Sequence, residues 1–182
     1  DNHPQEGVTW YMAMAFCRWL TYHVNEAKLP MQVWDMTTNT YQIQSYKKVK
    51  ITLPSEAEYE KSVRGMDGRI YPWGNGFDTT KGNVETTGIN MTSAVGIFPQ
   101  GESPYGVLDV VGNVWKWTRS KPESYKYDSE DGREDDRGTR SRILRGSSWV
   151  GLKSISRLSF RNYFNPYHAN NKSGFFVVCR KY

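Results

Sequence analysis

The sequence predicts an α+β fold: two helices, then short antiparallel strands set in much irregular structure. Three observations lead there. Helical periodicity is clear twice, both times before Gly65. Beyond Gly65 come short apolar runs broken by Gly, Pro, Asn and Asp, a pattern of turns with little regular structure. The length, 182 residues, is one domain's worth against the usual ~100–200.

The first helix is expected over Val8 to Leu29, where Trp10, Ala13, Met14, Cys17, Leu20, Tyr22 and Val24 recur near the 3.6 spacing and Thr9 is placed to cap. Met31 to Lys50 is polar and irregular and reads as an inserted loop, ending in the strand-like Val49-Lys50-Ile51-Thr52-Leu53. The second helix opens on Ser55-Glu56-Ala57-Glu58, a capping box with acids in its first turn, and closes on Arg64 and Gly65. The later runs are Tyr71 to Gly76, Ala94 to Gly96, Tyr105 to Asp109, Gly112 to Trp117, Arg142 to Gly146 and Gly174 to Val178. No internal repeat or linker divides the chain, so residues 1–182 read as a single domain.

Composition narrows the function. Hydrophobic residues are 37% and mean hydropathy is -0.72, which excludes a collagen or a coiled coil. No run approaches the ~18–20 apolar residues that cross a bilayer, so no membrane span is expected. Cys17 and Cys179 allow at most one disulfide and cannot form a structural zinc site alone. His3, His23 and His168 are too scattered for a metal triad, and no Ser–His–Asp grouping, Walker loop or dinucleotide fingerprint occurs. Aromatics reach 14%, more than a core this size needs, which places some rings on the surface.

Charge is uneven. The net is +5, yet Arg137 to Tyr182 holds ten Lys or Arg and no acid. This asymmetry suits an anionic partner or internal compensation, for which the seven acids between Glu123 and Asp136 are an obvious counterweight. The basic residues are interspersed and lack any helix–turn–helix, zinc-finger or RNP pattern, so no specific nucleic-acid partner is expected.

Several runs together resemble the formylglycine-generating-enzyme (sulfatase-modifying factor) family. They are His3-Pro4, Gly7-Val8-Thr9-Trp10-Tyr11, Ala15-Phe16-Cys17-Arg18-Trp19-Leu20, Leu53-Pro54-Ser55-Glu56-Ala57-Glu58-Tyr59-Glu60-Lys61, Arg64-Gly65 and Gly68-Arg69-Ile70-Tyr71-Pro72-Trp73-Gly74-Asn75. Then follow Ser103 to Asp109, Gly112-Asn113-Val114-Trp115, Arg142 to Gly146 and Gly174-Phe175, all in family order and nearly end to end. The resemblance implies a variant of the C-type lectin fold. It also implies strands upstream of His3-Pro4, hence a longer polypeptide whose upstream domains would be partners of this one.

The resemblance implies reactive cysteines after the Gly146-Ser147-Ser148-Trp149 element, but Val150 to Pro166 contains none. Thiol oxidation needs a thiolate or a metal-bound sulfur, and neither Ser154 nor Ser156 supplies one. A pseudoenzyme is therefore expected. A Ca²⁺ site is implied near Gly112 to Trp117, where Lys116 stands in place of an acid; Asp109 is a weak ligand candidate that can instead pair with Lys116. At a second implied site Asn83 is retained, as is the Val84 carbonyl, but Thr87 stands where an acid is expected. No cofactor is expected, and Ca²⁺ only weakly.

Residues 149–176 are the candidate ligand-binding region: Trp149, Val150, Leu152, Phe160, Asn162, Tyr163, Phe164, Tyr167, His168, Asn170, Asn171 and Lys172, with Arg157 and Arg161 among them. Tyr, Asn, Ser and Gly with occasional Arg make an adaptable binding surface. The alternative is an Asn-rich loop whose aromatics floor the core. The bounding elements Arg145-Gly146-Ser147-Ser148-Trp149 and Gly174-Phe175-Phe176-Val177-Val178 are similar to those of the variable proteins of diversity-generating retroelements, with Phe176 in place of Arg. In those proteins the stretch between is mutated at template adenines, which turns Asn codons into the residue types crowded here. The reading that follows is a non-enzymatic binder of a protein or other macromolecule, its anchors held on one exposed face. The alternatives are a copper- and oxygen-dependent formylglycine-generating enzyme and a calcium-dependent lectin.

Overall fold

The computed structural model describes residues 2–27, 31–35, 37–38, 40–44 and 48–181. Helix α1 runs Trp10–Ala27 and starts where Thr9 Oγ1 accepts the Met12 N–H at 3.1 Å. Its expected end at Leu29 lies outside the described residues. It buries Trp10, Ala13, Met14 and Cys17.

The segment expected as a loop is instead a hairpin. Strands β1, Met31–Asp35, and β2, Thr40–Gln44, pair antiparallel from Met31↔Gln44 to Asp35↔Thr40. Asp35 Oδ1 accepts the Thr37 N–H at 2.8 Å, shaping the turn from a side chain. A backbone ladder needs no apolar alternation, so polar composition hid it.

Strand β3, Val49–Thr52, pairs antiparallel with the last strand, β8, Val178–Lys181. Side chains of α1 seal its other edge. Asn25 gives and takes hydrogen bonds of 2.9 Å with the Val49 carbonyl and N–H, and Thr21 Oγ1 accepts the Ile51 N–H at 2.9 Å. Helix α2, Glu56–Arg64, carries the expected capping box and ends on Gly65, whose φ of 74° favours glycine.

The central sheet has the order β6-β5-β4-β7, from β4 (Trp115–Trp117), β5 (Arg142–Arg145), β6 (Asn162–Phe164) and β7 (Ser173–Gly174). β5 is antiparallel to both neighbours, while β4 and β7 run parallel. One core joins α1 to this sheet through Trp10, Trp115, Trp117 and Leu144. The two indoles are anchored crosswise: Trp10 Nε1–H donates to the Thr118 carbonyl and Trp117 Nε1–H to that of Val8, both at 2.9 Å. A second core sits under α2, with Tyr59, Val63, Val84, Val110, Val111 and Leu158. Gly146, at φ 85°, brings the end of β5 against this second core, where any Cβ would collide with the Tyr59 hydroxyl and the Val110 carbonyl.

The basic end of the chain is compensated from within. Arg137 and Arg140 pair with Asp135 and Glu123, as the acidic segment suggested. Arg145, Arg161 and Arg180 turn instead to Glu56, Glu58 and Glu60 on α2. Neither cysteine is in a disulfide; Cys17 is buried and Cys179 exposed. No described helix is long and apolar enough to cross a membrane.

Candidate ligand-binding surface

The candidate residues do not share one face. Within β6 successive side chains point to opposite sides of the sheet, so Asn162 and Phe164 are on one side and Tyr163 on the other. Tyr163 lines a groove of about 400 Å³ with Pro122, Glu123, Ile143 and Arg161. Phe164 lies on the side of α1, stacked on His168 with ring centroids 4.4 Å apart. Tyr167 packs beside it against Tyr11, centroids 4.8 Å apart. Tyr11, half-buried next to the core residue Trp10, is not among the expected site residues, although it closes the Gly7-Val8-Thr9-Trp10-Tyr11 run.

A second group gathers around Trp149, whose Nε1–H donates to the Asn171 carbonyl at 3.2 Å and whose ring lies under the Lys172 ammonium at 5.6 Å. Val150 and Leu152 are exposed, and Leu152 faces Tyr71 across a groove that includes Thr86, Lys153, Ser154 and Arg157. Of its two basic residues, Arg157 is one that the sequence singles out in the candidate region, whereas Lys153 is not.

Two candidates turn inward. Phe160 packs against the core of α1, with its ring 6.1 Å from Trp115. Asn170 is a latch: its carbonyl accepts the Gly7 N–H at 3.0 Å and its Oδ1 accepts the Lys172 N–H at 2.9 Å. Its Nδ2 is 2.8 Å from His168 Nε2, which orients that ring. The outward-facing set is thus Val150, Leu152, Tyr163, Phe164, Tyr167 and Asn171, with Trp149, Asn162, His168 and Lys172 half-buried between them.

The stretch Val150 to Pro166 keeps hydroxyls where thiol chemistry would need sulfur. Ser156 is buried, donates to the Leu152 carbonyl at 2.9 Å and lies 3.4 Å from Ser147 Oγ. Of the two thiols elsewhere, burial pushes Cys17 up to about 11 and raises Cys179 as well. Both shifts disfavour the thiolate at neutral pH.

The expected pairing of Asp109 with Lys116 is not made. The Lys116 ammonium is buried and donates to the Gly112 carbonyl at 2.6 Å, while Asp109 Oδ2 accepts the Gly96 N–H at 2.7 Å. A carbonyl on the adjoining turn is simply nearer than the carboxylate. Burial pulls the Lys116 pKa down to about 7, against the attraction of Asp109. Asn83 is buried with its Nδ2 donating to the Met91 carbonyl at 2.9 Å, and its Oδ1 has no hydrogen-bond partner. The Lys116 ammonium on the Gly112 carbonyl opposes a divalent cation at that oxygen. Among the described residues no three His, Cys, Asp or Glu side chains are grouped to hold a metal.

Comparison with known proteins places these observations in a family. The model of the sulfatase-modifying factor enzyme 1-like domain matches residues 1–181. The inactive C-alpha-formylglycine-generating enzyme 2 of Bos taurus is 33% identical over 139 residues, covering 68% of this chain and 42% of that protein. The hercynine oxygenase of Mycolicibacterium smegmatis is 33% identical over 135 residues, covering 67% of this chain and 31% of that protein. The chain therefore spans less than half the length of these relatives. Among solved structures, Treponema denticola variable protein 1 shares the fold at a TM-score of 0.73 and 23% identity, covering 98% of this chain and 71% of that one.

Proposed function

Because this chain belongs to the sulfatase-modifying factor enzyme 1-like family, we propose that it is a non-enzymatic member, a recognition domain that binds a protein or other macromolecule through its C-terminal surface. The observation that carries this reading is the exposed set Val150, Leu152, Tyr163, Phe164 and Tyr167, presented by a strand and turns that are fixed to two cores. Rings with two side-chain torsions give large contact area for little entropy, and the neighbouring Asn and Ser groups adjust hydrogen bonds to the ligand. Hot spots of binding are typically a few such anchors amid weaker polar contacts.

Thiol chemistry lacks its sulfur at the expected place. Val150 to Pro166 carries no cysteine, and both remaining thiols are held protonated at neutral pH. The inactive relative supports this direction and the hercynine oxygenase opposes it. The fold shared with variable protein 1 is compatible with a displayed, changeable surface.

The test has two arms. With copper, oxygen and a sulfatase-type cysteine peptide, mass spectrometry should find no formylglycine product; multiple turnovers would restore the enzyme. A displayed peptide library panned on the protein should return binders whose capture is lost in Tyr163→Ser or Tyr167→Ser. Binders indifferent to every residue of the set would move the site elsewhere.

A further inference from the structure

A groove of about 580 Å³ is lined by Tyr71, Thr86, Leu152, Lys153, Ser154 and Arg157. Two of the six are cations and none is an acid. Glu85 precedes Thr86 in the chain, with its N–H donating to the Gly151 carbonyl at 3.3 Å, but it is not a lining residue.

Arg157 stands apart from the molecule's other arginines. All except Arg142 and Arg157 have a carboxylate within ion-pairing distance. Arg142 is satisfied by the carbonyls of Arg119, Asp135 and Arg137. Arg157 donates from Nε to the Ser154 carbonyl at 3.0 Å, which fixes the stem, and its terminal nitrogens have no partner among the described residues. Lys153 likewise has no carboxylate among the described residues; its ammonium lies 5.9 Å over the Phe77 ring. The chain neutralises its guanidinium groups almost everywhere except at this groove.

The rest of the lining is uncharged: Thr86 and Ser154 bring hydroxyls, and Tyr71 and Leu152 bring the apolar surface. Tyr71 is 2% exposed, donates from its hydroxyl to the Lys153 carbonyl at 3.3 Å and stacks on Trp73. Leu152 is 53% exposed and offers the accessible apolar surface of the groove. A buried, stacked ring offers no open face for a nucleobase, which argues against single-stranded nucleic acid.

We propose that this groove takes an acidic peptide segment, with a Glu or Asp carboxylate on the Arg157 guanidinium and a neighbouring aliphatic side chain against the exposed Leu152. A guanidinium with two free nitrogens can hold a carboxylate bidentately, and Lys153 adds attraction from the side. The proposal rests on the reading of the chain as a recognition domain and names the partner chemistry for one end of its surface.

The test is a titration of a fluorescein-labelled peptide of alternating Glu and Leu, followed by anisotropy, against the same peptide with Gln for Glu. The protein should bind the Glu peptide about tenfold or more tighter than the Gln peptide, and Arg157→Gln should remove that margin. Lys153→Gln should weaken binding less, and both variants should melt with the parent because the side chains are exposed. Equal affinity for the two peptides, no binding of the Glu peptide, or binding indifferent to Arg157→Gln overturns the groove. So does displacement by inorganic phosphate or oligothymidine more readily than by unlabelled Glu peptide. Loss in Tyr167→Ser with no loss in Arg157→Gln also overturns it, yet leaves surface recognition standing. The panned peptides judge that reading separately.

Discussion

The guanidinium of Arg145, wholly buried, meets the carboxylate of Glu56 at 2.5 Å. Arg161 grips the same carboxylate through two hydrogen bonds of 2.7 Å. One acid of α2 thus ties down both the strand before the candidate surface and the residue that leads into β6. Burial alone lowers the Arg145 pKa, but Glu56 and Glu60 more than offset it and leave the pKa raised. Glu60 takes the other side of Arg145 at 2.8 Å, and Leu158 offers its carbonyl.

Removing Glu56 should therefore be severe. Glu56→Ala leaves a buried guanidinium short of a partner, a loss of about 3–5 kcal/mol. Chemical denaturation should show this, with Glu60→Ala losing less because its side chain is 30% exposed. Glu56→Ala within about 1 kcal/mol of the parent would show that the pair does not anchor the segment.

Lys116 should give stability an unusual pH dependence. Its pKa falls from 10.5 to about 7 on folding, so below pH 7 it is charged in both states and the burial penalty is complete. As pH rises from 7 toward 10.5 the folded state has released a proton that the unfolded state keeps, and the penalty fades. Lys116→Met should then help stability more at pH 6 than at pH 9, by roughly 2–3 kcal/mol of difference. Equal effects at the two pH values would mean that Lys116 stays charged in the fold.

Calcium should contribute little, since the Lys116 ammonium occupies the Gly112 carbonyl and Asp109 accepts from Gly96. Melting temperatures with excess Ca²⁺ and with chelator should agree, because a ligand of the native state alone would raise the first. An upward shift of several degrees would reveal a site built from other donors.

Much of the scaffold was legible in the sequence because local signals and global fold agree. Ser55 with Glu58 marks the start of α2, and Gly65 its end, through backbone needs that few other residues meet. The binding surface was legible in composition but not in geometry. Asn162-Tyr163-Phe164 sits in an Asn-rich stretch and reads as loop, yet it forms β6, and strand alternation then parts Tyr163 from Phe164. Tyr and Phe before Asn165-Pro166 were the available hint of a strand that stops. Asn170 and Phe160 carry surface-like or ambiguous residue types, and only the contacts with Gly7 and Trp115 turn them inward. The expected partner of Lys116, Asp109, is taken by the Gly96 N–H, and the ammonium turns to the Gly112 carbonyl four residues back, a choice of side-chain direction that residue types alone do not show.

The exposed surface should be separable from the fold that presents it. The most direct measurement combines Val150→Ser, Leu152→Ser, Tyr163→Ser, Phe164→Ser and Tyr167→Ser in one chain and records thermal melting and capture of the panned peptides. Each exposed position should lose less than about 0.5 kcal/mol, so the five together should lose less than about 2.5 kcal/mol, whereas Trp117→Ala, at a fully buried ring, should lose about 3–5 kcal/mol and serves as the destabilised reference. The expected result is a cooperative melt well above that reference, with peptide capture abolished. Unfolding to the level of Trp117→Ala, or capture that survives all five changes, would contradict the account.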